Sequence, residues 1–314
     1  MATLVAPDHA DPIADAEALR AACEGWGTNE KGIIEIIGHR TAAQLKLIKE
    51  AYEEMYSENL IKRFEKELSG NFEKAVYRWM LDPCEREAVL AHDALKKKEF
   101  GVIIEISCIP SSDELLAIKR AYQARYKHSL EEDVASHFSG DLRKLLLLLV
   151  SVYRYDSYET EVTDPKLVEA EAKILEDCIK DKEYNHDEII RILTTRSKAH
   201  LISTFYRYED ISGTPLVEVL DSDKEFVVAL QAAIRCIKCP QEYLEQVLTD
   251  ALLKHGTDED ALTRVIVTRA EKDLGEIKER FYQRHSKTLE QVVAKETHWD
   301  YEPFLLALLG KKDH

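Results

Sequence analysis

Apolar residues recur at helical spacing along almost the whole chain. Ile33, Ile34 and Ile37 share one face of a helix, and Leu262 and Val265 repeat the pattern far downstream. No alternation of apolar and polar residues is bounded by hairpin turns, and the 314 residues include only 8 prolines and 11 glycines. The pattern therefore predicts an all-α fold.

A frame of 40 residues, spanning 28–67 in its first copy, recurs four times along the chain. The copies align when Arg40, Pro110, Arg196 and Arg269 are set as equivalent. The residue twelve positions later is then Tyr or Phe in every copy, and the residue twenty positions later is always Leu. Such a recurrence indicates repeated structural units of one kind.

The repeats divide the chain into a short N-terminal segment and copies one to four. Their predicted bounds are 1–13, 14–82, 83–156, 157–239 and 240–314. The anchors lie 70, 86 and 73 positions apart. The longer middle interval contains the polar residues 158–165, which we interpret as a connector.

Each copy is predicted to form about five short helices. In copy one these helices span 15–24, 29–38, 42–56, 58–67 and 71–81, with breaks that contain glycine, serine or threonine. A unit of this size cannot bury its own core well. We therefore expect neighbouring copies to pack into a curved array.

Composition and charge restrict the partners. The chain is 45% hydrophobic and 32% charged, as in ordinary soluble proteins, and its formal net charge is −16. This charge opposes nucleic acid, and it opposes acidic lipid unless a cation intervenes. No apolar run approaches the ~20 residues that span a bilayer. The N-terminus lacks the regions of a signal peptide, so we expect a cytoplasmic protein with reduced cysteines.

Copies one and four share a glycine loop and a distant acid. Residues 25–28 are Gly-Trp-Gly-Thr and Glu67 follows 39 positions after the threonine, while residues 254–257 are Lys-His-Gly-Thr and Glu296 follows at the same interval. Backbone carbonyls and one bidentate carboxylate satisfy the preference of calcium for oxygen ligands. The loop also follows a helix C-terminus, whose partial negative charge favours a cation.

The alternative is a purely structural loop. One copy alone is better explained by a glycine helix cap, a surface acid and a threonine N-cap, and Thr28 and Thr257 are well placed as N-caps. Retention of loop and acid together in two copies, with the loop lost in the other two, favours a calcium site.

Copies two and three lack the loop. Copy two has Leu-Lys-Lys-Lys at 95–98 and His137 at the acid position, so we expect no calcium there. Copy three has Asp-Lys-Glu-Tyr at 181–184 but keeps an acid, Asp223, at the aligned position. Six positions after the first acid stand Glu73 in copy one and Glu302 in copy four, and we predict that these acids serve a weaker adjoining site, in copy four together with the Thr297 carbonyl.

The fourfold unit, the glycine loop with its acid, and Thr-Arg at 195–196 and 268–269 resemble the annexins. Retention of the loop in copies one and four, with a very short N-terminal segment, is similar to the plant annexins. The resemblance covers about residues 14–314. It implies a slightly curved disc of four five-helix repeats, with calcium loops on its convex face.

The resemblance also implies the calcium ligands. In copy one they would be the carbonyls of Cys23, Gly25 and Gly27 with the Glu67 carboxylate. In copy four they would be the carbonyls of Leu252, Lys254 and Gly256 with the Glu296 carboxylate. Lys254 departs from the glycine of the family, and its ammonium would come near the ion.

The predicted function is calcium-dependent binding to anionic phospholipid. Calcium held by the loop carbonyls would keep positions open for lipid oxygens and would bridge two negative surfaces. We expect Trp26 to project from its loop into the headgroup layer. Lys96, Lys97 and Lys98, followed by Phe100, suggest a contact with anionic lipid that needs no calcium; a solvated charge run is the alternative.

Other functions have less support from the sequence. Peroxidase activity, attributed to some plant annexins, would involve His39, for which a satisfied interhelical histidine is the simpler interpretation. Nucleotide hydrolysis has still less support, since no phosphate-binding G-x-x-x-x-G-K-[ST] loop is present. Ile190-Arg191-Ile192 resembles a motif suggested for actin, although its isoleucines fit the helical core. We predict a binding protein and not an enzyme, with F-actin and self-association on membranes as alternative interactions.

Overall fold

The computed structural model of the protein describes residues 1–156 and 163–311. Within these ranges the chain forms helices and no strand, which confirms the all-α prediction. Most of the predicted connector at 158–165 lies outside the described residues. The helices are α1 Pro12–Cys23, α2 Glu30–Ile37, α3 Ala42–Tyr56, α4 Leu60–Glu67 and α5 Gly70–Met80 in copy one; α6 Pro83–Lys97, α7 Phe100–Cys108, α8 Ser112–Tyr126, α9 Leu130–His137 and α10 Gly140–Ser151 in copy two; α11 Pro165–Lys180, α12 Asp187–Thr195, α13 Lys198–Ser212, α14 Leu216–Val219 and α15 Glu225–Lys238 in copy three; α16 Pro240–Leu253, α17 Glu259–Arg269, α18 Leu274–His285, α19 Leu289–Glu296 and α20 Tyr301–Leu308 in copy four.

The same local signals begin and end corresponding helices. In all four copies the third helix ends at a residue with left-handed backbone, and φ at this residue lies between 49° and 78°. At the start of α3, the Thr41 side chain accepts from the Gln44 amide while the Gln44 side chain accepts from the Thr41 amide. These signals explain why the predicted helices of copy one fall within three residues of the observed ones.

Copy three departs from the common frame in its fourth helix. Helix α14 has only four residues, whereas α4, α9 and α19 have eight. Leu220-Asp-Ser-Asp223 continues the chain with residues that favour turns over helix. Glu67 and Glu296 each form the last residue of a helix, but Asp223 lies four positions beyond Val219. Copy three therefore keeps the acid in the sequence alignment but not at the end of a helix.

The described chain divides into two compact units. One comprises Met1–Arg86 and Leu244–His314, and the other comprises Glu87–Tyr243. Copies two and three therefore pack together as expected for neighbours, whereas copy one packs with copy four, from which it is farthest in sequence. Both predicted calcium loops belong to the same unit.

Copies one and four share a core within their unit. Phe72 and Phe304 meet edge to face, with ring centroids 5.8 Å apart. Buried Arg86, in the first turn of α6 but part of this unit, joins the two copies by donating from Nε to the Arg78 carbonyl at 2.8 Å and from Nη1 to the Val267 carbonyl at 3.0 Å. These contacts fix the loop of copy one relative to that of copy four.

The unit of copies two and three is held by similar means. Lys198 donates to the Ile109 and Pro110 carbonyls at 3.0 and 2.8 Å, and so binds the C-terminus of α7. No helix in the described ranges is long and apolar enough to cross a membrane. All six cysteines are free thiols.

Candidate metal centre

The segment after the first helix differs between the copies. Helices α1 and α16 end at Cys23 and Leu253, and an open loop follows. Helix α6 continues to Lys97, three positions beyond Leu253 in the common frame, while α11 ends at Lys180, the position aligned with Leu253. Gly25 and Gly27 have φ of 96° and 85°, and Gly256 has φ of 79°. Glycine adopts this region without the steric strain of an L side chain.

In each copy a backbone hydrogen bond spans the segment between the first and second helices. The number of residues that this bond spans shows how wide the turn is. In copies one and four, Asn29 N donates to Ala22 O at 2.8 Å and Asp258 N donates to Ala251 O at 2.9 Å, a separation of seven positions. In copies two and three, Glu99 N donates to Ala94 O and Glu183 N to Cys178 O, a separation of five positions. The wider closure leaves room for a loop between the two helices, which a calcium site built from backbone carbonyls requires.

Thr28 has a different role from the predicted one. Its Oγ1 donates to Glu67 Oε2 at 2.9 Å, and Asn29 is the N-cap of α2, accepting from the Gly32 amide at 3.0 Å. In copy four the N-cap is likewise Asp258 and not Thr257. The prediction of threonine N-caps is wrong because Asn and Asp, which follow the threonines, are the better capping residues. The hydroxyl of Thr28 instead orients the carboxylate that faces the loop.

Arg63 is a member of the first site that sequence reasoning missed. Its Nη2 donates to the Cys23 carbonyl at 2.8 Å, and its Nε lies 3.0 Å from Glu67 Oε1. The spacing of four residues between Arg63 and Glu67 on one helix is the signal that could have revealed the pair. Burial raises the pKa of the Cys23 thiol to about 11, so Cys23 offers its carbonyl and not a thiolate at neutral pH.

In the copy four loop, the ammonium of Lys254 pairs with Asp250. Lys254 Nζ lies 3.0 Å from Asp250 Oδ1, one helical turn back along α16. Val292 stands where copy one has Arg63, and it is buried. Glu296 therefore has no guanidinium four residues before it on α19.

Both candidate carboxylates line one cavity of about 360 Å³. Glu67 enters from copy one and Glu296 from copy four, and Thr297 also lines the cavity. Glu302, in the first turn of α20, is outside the lining, so the adjoining site stays a prediction. Within residues 1–156 and 163–311, no three His, Cys, Asp or Glu side chains are grouped for a metal. A calcium site here would therefore depend on carbonyl oxygens.

Two tryptophans project from the same region. Trp26 is fully exposed at the tip of its loop, as expected, and Trp299 is 90% exposed. Trp299 follows Glu296 by three positions and has φ of 57°, where the corresponding Gly70 and Gly140 have φ of 66° and 63°. The sequence did not lead us to predict Trp299. The signal that could have revealed it is a tryptophan at the position where copies one and two have glycine.

The other predicted membrane-contact residues lie where α6 ends and α7 begins. Lys96 and Lys97 occupy the last turn of α6, Lys98 is left-handed with φ of 56°, and half-buried Phe100 begins α7. The three lysines are exposed.

The residues behind the alternative functions take part in packing. Ile190 and Ile192 are buried, which confirms their assignment to the core, and Arg191 pairs with Glu188. His39 Nδ1 lies 3.0 Å from the Val5 carbonyl and so contacts the N-terminal segment.

Comparison with known proteins gives one consistent result. The sequence model of the Annexin family matches residues 14–79, 86–149, 170–225 and 243–308. Annexin-like protein RJ4 of Fragaria ananassa is 58% identical over 317 aligned positions, with all of both chains covered. Among solved structures, annexin III superposes with a TM-score of 0.91 at 32% identity, covering 99% of this chain and 98% of that one. The calcium-bound annexin (Sm)1 superposes with a TM-score of 0.85 at 26% identity, covering 99% of this chain and 93% of that one.

Proposed function

This chain belongs to the annexin family, as an annexin of the plant type, and we propose that it attaches to anionic phospholipid through calcium held in the loops of copies one and four. Calcium-dependent phospholipid binding is the general property of the family. The finer proposal concerns where the ion is held and how it acts as a bridge. The observation that carries it is the seven-position closure, which occurs in the two copies that also keep the acid at a helix end.

The residues of copy one fit a calcium ion. The carbonyls of Cys23, Gly25 and Gly27 would hold it together with Glu67, and Leu252, Lys254, Gly256 and Glu296 would do so in copy four. When bound, calcium supplies positive charge and open coordination positions that lipid phosphate oxygens can enter. Thr28 keeps the carboxylate of Glu67 oriented, and the backbone at Gly25 and Gly27 keeps the loop wide. The net charge of −16 opposes adhesion to an acidic surface, and a bound cation would offset this repulsion at the loops.

Exposed aromatic and basic side chains would add contacts to the bilayer. Trp26 and Trp299 flank the two loops, and tryptophan is favoured at the headgroup level. Lys96, Lys97 and Lys98 would attract anionic headgroups where copy two has no loop for calcium, with Phe100 beside them.

We also propose the setting of this activity. The protein would act in the cytoplasm as a peripheral membrane protein and a binding module, not as an enzyme. The packed surroundings of His39 and the burial of Ile190 and Ile192 favour structural roles over peroxidase chemistry and actin binding. Self-association on the membrane remains a separate proposal.

Cosedimentation with phosphatidylserine vesicles tests the bridging mechanism. The wild type, Glu67→Gln, Glu296→Gln and the double variant are compared with calcium and with chelator. We expect each single variant to need more calcium and the double variant to lose calcium-dependent sedimentation. Glu65→Gln, an exposed acid on the same helix as Glu67, is the matched control and should behave as wild type. A double variant that sediments like the wild type would overturn the proposal.

A further inference from the structure

The two candidate sites differ at one position inside their carboxylate helices. Four residues before the acid, copy one has Arg63 and copy four has Val292. Both residues lie on the helix that ends with the acid, so both face the same part of their sites. Copy one therefore carries a fixed cation where copy four has a buried apolar side chain.

The guanidinium of Arg63 contacts two of the four predicted ligands of the first site. Nη2 donates to Cys23 O at 2.8 Å and Nε lies 3.0 Å from Glu67 Oε1, while Nη1 lies 3.7 Å from Glu58 Oε2. The second oxygen of Glu67 accepts from Thr28 Oγ1 at 2.9 Å. Both oxygens that a bidentate carboxylate would offer to calcium therefore have donors or a cation beside them.

Arg63 and calcium require the same oxygens. A carboxylate oxygen that turns toward calcium must loosen its contact with the guanidinium, and the two cations repel each other at this distance. The Arg63 side chain is only 20% exposed, so solvent screens that repulsion weakly. Glu58 offers Arg63 a second partner, because Glu58 also accepts from Arg20 and Tyr52 and is thereby held in place.

We propose that Arg63 is an internal competitor of calcium that sets the affinity of the first site. Arg63 holds Cys23 O and Glu67 together when calcium is scarce, and it yields Glu67 when calcium rises. The first site thus requires a higher calcium concentration than its loop and carboxylate would otherwise need. This inference rests on the proposed function and adds the residue that sets its threshold.

Calcium titration calorimetry without lipid tests the proposal. The first site is isolated in a Glu296→Gln background, and Arg63→Gln, which keeps a donor for Cys23 O, is compared with Arg63→Lys, which keeps the charge. Lys62→Gln removes a neighbouring exposed charge and is the matched control. We expect Arg63→Gln to tighten the dissociation constant about tenfold, or ~1.4 kcal/mol. Arg63→Lys should stay near the parent, and Lys62→Gln should change the constant less than about twofold, as expected for an exposed charge in salt.

Thermal unfolding in chelator separates competition from simple support of the fold. We expect Arg63→Gln to lower the melting temperature without calcium while it raises calcium affinity. A residue with only a structural role would lower both, and that result would overturn the proposal. Calcium binding that is unchanged in Arg63→Gln would overturn this inference alone. Absence of calcium binding in every background, including Glu67→Gln for the fourth site, would overturn the proposed function as well.

Discussion

Copies one and four and copies two and three begin from the same frame but close their first turn differently. Wide closure leaves Gly25 and Gly27 at positive φ, whereas tight closure uses Lys98 and Lys182, both with φ of 56°. The closing amide lies eleven positions before the anchor in copies one, two and four, and thirteen positions before it in copy three. Copy two therefore replaces the wide loop with further helix, whereas copy three closes its turn two positions earlier in the frame.

Gly27→Val is the strongest test of this difference. The φ of 85° disfavours an L residue by ~1–2 kcal/mol. No atom lies within 4 Å of an added Cβ, so the effect is conformational and not a clash. We expect about a tenfold weaker first site, measured by calorimetry in the Glu296→Gln background.

Gly140→Val is its control in copy two. Gly140 also has positive φ, 63°, and open space around an added Cβ. It should lower the melting temperature and leave calcium binding unchanged. Equal loss of calcium affinity in both variants would show that general destabilisation, and not the width of the loop, explains the effect.

The tryptophans sharpen the comparison from the membrane side. Trp26→Ala and Trp299→Ala should each weaken vesicle binding about threefold, ~0.7 kcal/mol, because each removes an interfacial side chain. Calcium affinity in solution should not change. Vesicle titration at fixed calcium measures the effect, and Tyr282→Ala, an exposed aromatic on α18, serves as the control.

Trp299→Gly adds a second measurement at the same position. Because φ is 57°, glycine should relieve strain of ~1 kcal/mol and raise the melting temperature while vesicle binding falls. A rise in stability with unchanged vesicle binding would contradict a membrane role for Trp299.

Much of the fold followed from the sequence because periodicity and caps are local. The helices of copy one, the helix break at Ser57 and the exposure of Trp26 were all predictable. The pairing of copy one with copy four was not, since it depends on contacts such as Arg86 with the Val267 carbonyl. The repeat alignment also did not predict that α14 is short. Without gaps it aligns Asp223 with Glu67 and Glu296, although α14 already ends at Val219.

The candidate site was predicted in its loop and its acids but not in its internal contacts. The glycine pattern and the interval to Glu67 can be read directly from the sequence. The hydrogen bonds from Thr28 to Glu67 and from Arg63 to the Cys23 carbonyl depend on how α4 packs beside the loop. Such contacts between helices have no fixed spacing along a chain.

His92 gives the smallest expected effect. It occupies in copy two the place of Ala22 and Ala251, whose carbonyls close the wide loops, and its ring stacks on Tyr126 with centroids 3.8 Å apart. Burial, and then Lys96 nearby, lower the pKa of His92 below its usual value, although Asp93 and Asp133 oppose the shift.

A histidine with a lowered pKa makes the folded state less stable in acid. The unfolded chain binds the proton first, so stability is complete above the usual pKa near ~6.5 and falls as the pH drops from there through the folded value. His92→Phe keeps the stacking and removes the proton. The variant should therefore lose less stability than the wild type between pH 7.5 and pH 5.5, as measured by urea unfolding at both pH values. Exposed His9→Gln should retain the wild-type acid sensitivity, and equal sensitivity in His92→Phe would exclude His92 as its source.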